Sequence, residues 1–242
     1  MIYREISPPT HLRNFVESIW FYKGEGSLSP YRILPDACVD LIFPLQNSEP
    51  EHILFCGLMT RFQERLLPKA TKLIGYRFSP IGFMQIFDVP LYETLDQRIE
   101  GQALVAGLPT HFLHEIQSLP NLAHQILHIN HWLIECIRRS TASRSWLLNF
   151  IGKLGQPSEK ISQLVNEQNL SLRQLQRRFK AEMGISMKTY QRLLRFRRSL
   201  TQLQQSNKRS ILDIAFAEGY ADHAHMSREF IQLSGLPPST FR

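Results

Sequence analysis

The chain has 242 residues, 43% of them hydrophobic and 20% charged, which suits a globular protein of one large domain or two small ones. No run approaches the roughly 20 apolar residues that span a bilayer, and the first ten residues lack the basic and apolar segments of a secretory signal, so a cytoplasmic protein with no membrane partner is expected. The net charge of +7 is unevenly placed: residues 153–242 hold 15 Lys and Arg against 7 Asp and Glu, while residues 1–152 hold 13 against 14, a positive field at one end that suits a polyanion.

In chain order, segments 31–33, 38–45, 53–58 and 73–78 are rich in β-branched, aromatic and aliphatic residues and read as short strands. After Pro80 the spacing of Phe83, Ile86 and Phe87 turns helical. The N-terminal part is therefore expected to be α+β, a small sheet followed by helices. Leu122–Arg139 reads as one amphipathic helix with Ile126, Ile129, Leu133 and Ile137 on one face and His124, His128, His131 and Glu135 opposite. Imidazoles one turn apart can share a metal ion, but no second ligand group accompanies them, so the stripe is read as a solvated face. Gly152, Gly155 and Pro157 mark residues 152–158 as a linker between domains 1–151 and 159–242.

Cys38, Cys56 and Cys136 sit among apolar neighbours without Cys-x-x-Cys spacing, as reduced, buried cysteines do. No Ser/His/Asp arrangement, phosphate-cradling Gly loop or zinc signature is present, so neither enzyme activity, nor a cofactor, nor a metal is expected. Asp36, Cys38 and Asp40 alternate along a predicted strand. Asp36 and Asp40 could line a polar ligand pocket with Arg77 facing an anionic group. Alternatively they are a turn Asp, a paired Asp and a structural Arg, the commoner fate of isolated charges.

From residue 159 onward the pattern is all-α. Ile161, Leu164 and Val165 form a short helix's apolar side, Asn169 suits a tight turn, and Ser171 is placed as an N-cap. The following helix buries Leu172, Leu175 and Phe179 and turns Arg173, Gln176, Arg177 and Lys180 outward. This is the layout of a helix-turn-helix, whose second helix lies in the major groove, with Arg and Gln reading base edges and Lys meeting phosphate. The layout recurs fifty residues on. Ile211, Ile214 and Ala215 make the first helix's inner side, Gly219 the turn and Asp222 the cap. Met226, Phe230 and Leu233 then face inward, with His223, Ala224, His225, Ser227, Arg228 and Ile231 away from them. Between the units Met187–Gln205 reads as one long helix with a basic stripe, of which Arg192 and Arg195 are expected to contact phosphate.

The run from Ile211 to Phe230 contains Ala215, Gly219-Tyr220, Ser227-Arg228 and Phe230, followed by Gly235-Leu-Pro-Pro238 and Phe241-Arg242. With Ser171, Leu175, Arg177, Phe179 and Gly184 in the first unit, it resembles the DNA-binding domain of bacterial AraC/XylS-family transcription regulators across 158–242. Val165, Asn169, Ala221 and Met226 depart from the family's usual residues at packing or capping positions. The resemblance implies double-stranded DNA as partner, read by Arg173, Gln176, Arg177, His223, Ala224, Ser227 and Arg228. It further implies an N-terminal domain that senses a small molecule or mediates homodimerisation, and contact with RNA polymerase if the protein activates. Pro9, Leu12, Val16, Trp20, Leu34-Pro-Asp36-Ala-Cys-Val-Asp40-Leu and Gly75-x-Arg77-Phe-x-Pro80-x-Gly82 resemble a less characterised domain found ahead of the same module, implying a cupin-like sheet but no known ligand. Some repair proteins of this lineage join a reactive Cys to a similar module. Here Cys38 lies near Asp36 and Asp40, and Cys56 within an apolar run, and neither setting activates a thiol.

Overall fold

The computed structural model describes residues 2–24, 30–46, 48, 51–66, 71–105, 107–140, 147, 150–151, 154, 171–205 and 209–242. The chain divides into two compact units: Met1–Tyr31, Cys38–Leu58 and Glu64–Arg144 form the first, and Arg32–Ala37, Met59–Gln63 and Ser145–Arg242 the second. The second unit thus recruits two short pieces of the N-terminal half that a simple cut at residue 151 assigns elsewhere. Most of the expected linker lies outside the described residues.

The strands are β1 (Ile2–Ile6), β2 (Val16–Lys23), β3 (Pro30–Ile33), β4 (Val39–Pro44), β5 (Leu54–Cys56), β6 (Gln63–Leu66), β7 (Lys72–Phe78) and β8 (Arg98–Glu100). Six of them form an antiparallel sheet in the order β1-β2-β7-β4-β5-β8, and β3 pairs with β6. Strand alternation gives the large sheet two different faces. Phe43, Phe55, Tyr76 and Phe78 point one way, toward α1 (Pro80–Phe87), α3 (Phe112–Ser118) and α4 (Leu122–Arg139). There Phe55 meets Phe83 at 4.6 Å between ring centroids and Phe43 meets Trp132 at 6.3 Å. Tyr76 is fully buried on this face. Its hydroxyl donates to Asn130 Oδ1 (2.9 Å), which satisfies both polar groups inside an otherwise apolar layer. The short helix α2 (Gly101–Leu104) follows β8 directly.

The opposite face carries Trp20, Ile42, Leu54 and Leu73, with Tyr22 and Cys56 packed against them. Trp20 lies across Gly75 so closely that a Cβ there would stand 1.9 Å from the indole, which explains a glycine in the middle of the central strand β7. On the same face Asp40 accepts from Trp20 Nε1 (2.9 Å) and sits 3.4 Å from Arg77 Nε. Arg77 also reaches Glu5 Oε1 at 3.0 Å.

α4 begins and ends where the sequence periodicity places it, capped by Asn121, whose side chain accepts from His124 N. Its His128 contacts Glu115 (3.1 Å) and stacks on Phe112. Among the described residues no group of three or more His, Cys, Asp or Glu could hold a metal ion, and no helix is long and apolar enough to cross a membrane.

The described part of the second unit is helical: α5 (Leu172–Met183), α6 (Met187–Gln205), α7 (Ile211–Ala217) and α8 (His223–Ser234), closed by a 3-10 turn at Pro238–Phe241. The helix expected around Ile161 lies outside the described residues. Leu175, Phe179 and Met183 of α5 are buried, whereas Leu172, expected inside, is exposed because it is the first residue of the helix. The core of α6–α8 is built by Tyr190, Leu193, Phe196, Ile214, Ala215, Met226 and Phe230. Phe196 and Phe230 lie 4.7 Å apart. The pieces recruited from upstream join this unit at the end of α8, where Phe62 N donates to Leu233 O (2.9 Å) and Arg32 to Ser234 O (3.0 Å).

Candidate nucleic-acid interface

The two predicted reading helices are built alike. α5 opens with a reciprocal capping box: Ser171 Oγ accepts from Gln174 N (3.3 Å) and Gln174 Oε1 accepts from Ser171 N (2.9 Å). It ends at Gly184, whose φ of 75° only glycine adopts without strain. α8 is capped by Asp222, which accepts from His225 N (2.6 Å), and also ends in a left-handed glycine, Gly235. The turn before it contains Gly219 at φ 78°. Both helices are thereby started and stopped by their own sequence. The orphan N–H groups at each start are partly satisfied, and the positive end of each dipole stays free to face phosphate.

Arg173, Gln176, Arg177 and Lys180 are all exposed along one side of α5, opposite the buried Leu175–Phe179 side. Arg178 sits beside them and, with Gln174, Arg177 and Ala181, lines a shallow recess. On α8, His223, Ala224 and Arg228 are exposed and Ser227 is half-buried at the stripe's edge. Ile231 continues this side at 52% exposure. The sequence reading placed it outward without giving it a role, although an exposed branched apolar residue in that row is suited to a thymine methyl or a sugar.

Three residues expected at DNA have other occupations in the fold. Arg195 clamps Glu229 with two hydrogen bonds, Nε to Oε1 at 3.1 Å and Nη2 to Oε2 at 2.6 Å, and its guanidinium lies 4.3 Å above the Tyr220 ring. Arg192 donates to the same carboxylate (2.9 Å) and to Gln232 (2.8 Å). Glu229 is only 4% exposed. Burial opposes its ionisation, but the hydrogen bonds from Arg195 and Arg192 outweigh that and hold its pKa below the ordinary value. Arg198 repeats the arrangement with Glu218 (2.7 Å), which also takes a hydrogen bond from Gln202. The basic stripe of α6 is thus the fastening between α6 and the second helix-turn-helix unit. His225 likewise turns inward: its Nδ1 accepts from Ala221 N (3.3 Å) and its ring stands edge-on to Tyr220.

The residues expected to bind a ligand do not converge as a trio. Asp40 and Arg77 are cross-strand partners, with Arg77 Nε 3.4 Å from Asp40 Oδ1. Asp36 precedes β4 and belongs to the second unit. Ala37, at φ 61°, interrupts the extended chain between them, so the alternation predicted for Asp36, Cys38 and Asp40 does not form.

Residues 4–100 match a domain of unknown function (DUF6597) and residues 164–242 match the helix-turn-helix domain family. Among solved structures the chain is similar to unsaturated-fatty-acid-bound wild-type ToxT from Vibrio cholerae strain SCE256, at 10% identity over 91% of this chain and 92% of that one, with a TM-score of 0.50. It is also similar to ToxT from Vibrio cholerae in a P21 crystal form, at 10% identity over 92% and 96%, with a TM-score of 0.49. At such identity the likeness is one of fold. No curated protein matches the chain. The matches place a helix-turn-helix domain on residues 164–242, the segment that holds the exposed polar faces of α5 and α8, and a domain of unknown function on residues 4–100, which holds the large sheet.

Proposed function

We propose that the protein is a sequence-specific transcription regulator. In this reading Arg173, Gln176, Arg177 and Lys180 of α5 and His223, Ala224, Ser227 and Arg228 of α8 enter successive major grooves on one side of a duplex. The observation that carries it is the contrast within the two helices: each has a buried apolar side and an outward side of exposed polar and cationic groups. Arg and Gln there can donate to base edges, and Lys180 can meet phosphate. A site of roughly two helical turns follows.

The N-terminal unit is assigned to sensing a small molecule or to homodimerisation. The fold shared with a ToxT structure bound to an unsaturated fatty acid supports sensing. A regulator of this kind works in the cytoplasm and meets RNA polymerase if it activates. The proposal includes no catalysis. Burial pushes the Cys56 and Cys136 thiols up to about 11, the reverse of the depressed pKa that a thiol-transfer repair protein requires.

The test is fluorescence-anisotropy binding to DNA upstream of the protein's own gene and to unrelated DNA across a salt series, with the wild type, Arg177→Ala and Arg228→Ala. The expected result is preference for one duplex, falling steeply with salt and lost in both variants. Equal binding to every duplex, indifferent to both substitutions, would sink the assignment of the reading helices.

A further inference from the structure

The outward sides of α5 and α8 differ in chemistry. α5 contains four Lys and Arg, of which Arg173, Arg177 and Lys180 lie along its outward side, whereas α8 contains Arg228 alone. Beside that one cation the outward side of α8 is apolar. Rotation of about 100° per residue sets Ile231 within about 20° of Ala224 and about 60° from Arg228. Ala224 and Arg228 are exposed, and Ile231 is 52% exposed. A single exposed isoleucine is ordinary. One in line with the base-reading positions of a helix-turn-helix is placed for a contact.

The fold holds this side outward. Glu229 precedes Ile231 by two residues, about 200° around the helix, and is clamped by Arg192 and Arg195 of α6, while Gln232 accepts from Arg192. Phe230 and Leu233 are buried on the inner side. The clamp and this core fix the rotation of α8 about its own axis, so Ile231 cannot roll inward. Its β-branched side chain is also confined to essentially one rotamer on a helix, and little freedom is lost when its tip meets a partner. In the major groove thymine alone of the four bases presents a methyl group, and contact between two apolar groups releases water from both. Along the axis Ala224 and Ile231 stand about 10 Å apart, close to three base-pair steps, with Arg228 between them.

We infer that Ile231 is a specificity-determining residue: with Ala224 it selects thymines through their 5-methyl groups, on either side of a base read by Arg228. The cations of α5 then carry the larger share of the salt dependence. The inference rests on the reading of α8 as a major-groove helix and names the base that it recognises.

The full chain first selects its preferred duplex from a random-sequence pool. Anisotropy then measures binding to that duplex with each thymine replaced in turn by deoxyuridine, which lacks only the 5-methyl group. At least one replacement should weaken wild-type binding about fourfold, the factor for burying one methyl-sized group. Ile231→Ala should bind the thymine and uracil duplexes equally, with an unchanged salt slope and, because the side chain is exposed, an unchanged urea midpoint. Ile231→Val keeps a branched apolar tip and should keep at least a twofold preference for thymine. If wild type tolerates uracil at every position, or Ile231→Ala weakens binding to both duplexes alike and leaves their ratio as in wild type, Ile231 reads no methyl. The inference then falls, while a duplex preference lost in Arg228→Ala keeps the regulator standing. If the pool yields no preferred duplex, the reading of α8 as a major-groove helix falls, and this inference with it.

Discussion

Replacing Arg195 by Ala separates the two roles open to the arginines of α6. The substitution leaves Glu229, 4% exposed, with Arg192 as its remaining cation, and strips the guanidinium from the Tyr220 ring. Removing one partner of a buried ion pair costs about 3–5 kcal/mol. Arg195 is itself 20% exposed and Arg192 remains, so the cost falls below that range, to about 2–3 kcal/mol, with roughly 0.5 more from the lost cation–π contact. At an m-value of about 1.2 kcal/mol per molar urea this lowers the midpoint of the C-terminal unit by about 2–3 M.

DNA binding should respond differently. Each phosphate-neutralising cation contributes about 0.9 to the slope of log K against log salt. Arg195→Ala should therefore leave the slope on a non-specific duplex unchanged under conditions where the variant is folded, while Arg177→Ala should flatten it by about 0.9. Urea unfolding followed by circular dichroism and anisotropy in a salt series measure both quantities on the same samples. A slope flattened by about 0.9 in Arg195→Ala, with the urea midpoint unmoved, would show that this arginine meets phosphate and would refute the reasoning.

Glu229→Gln should be less stable than wild type at pH 7. Because the folded-state pKa of Glu229 lies below its unfolded value, the carboxylate's contribution is full above the ordinary glutamate range. It is lost as pH falls through the depressed pKa, so the gap between the two proteins should close on acidification; a gap independent of pH would contradict the ion-pair account. Gly75→Ala should cost about 2–3 kcal/mol through overpacking against Trp20 and should alter the near-ultraviolet circular dichroism, whereas an unchanged spectrum and midpoint would mean that the indole moves freely aside. Iodoacetamide should modify Cys56 and Cys136 in the native protein at pH 7.5 on the order of a hundredfold more slowly than a free thiol, accelerating toward pH 11. Rapid labelling of either near neutrality would reopen the thiol-transfer reading.

The parts legible in the sequence are those encoded by near neighbours. Leu122–Arg139 and Met187–Gln205 have the bounds their periodicity indicates, because a long amphipathic helix repeats one signal through four or five turns. The caps Ser171 and Asp222 and the turn glycine Gly219 were visible for the same reason. β1, β2, β6 and β8 were not read. β2 carries a register shift between Val16 and Ser18 that breaks its alternation, and the other three are edge or short strands that bury one side at most. The pairing of β7 with β2, about fifty to sixty residues away, has no local signature at all.

The same limit decides the site. Periodicity states that a residue leaves its own helix's apolar side; what it meets there depends on another segment. Arg177 and Arg195 have equivalent local patterns, yet Arg177 is exposed on α5 while Arg195 faces Glu229, thirty-four residues along the chain. Three arginines of α6 stand against two buried glutamates, so two of that helix's five positive charges are balanced inside the fold. Arg173, Arg177, Lys180 and Arg228 instead make no ion pair among the described residues and lie on the two helices whose outward sides are otherwise polar. A cation's value for DNA binding is set by the acid it lacks, and that absence becomes visible only when the helices are packed.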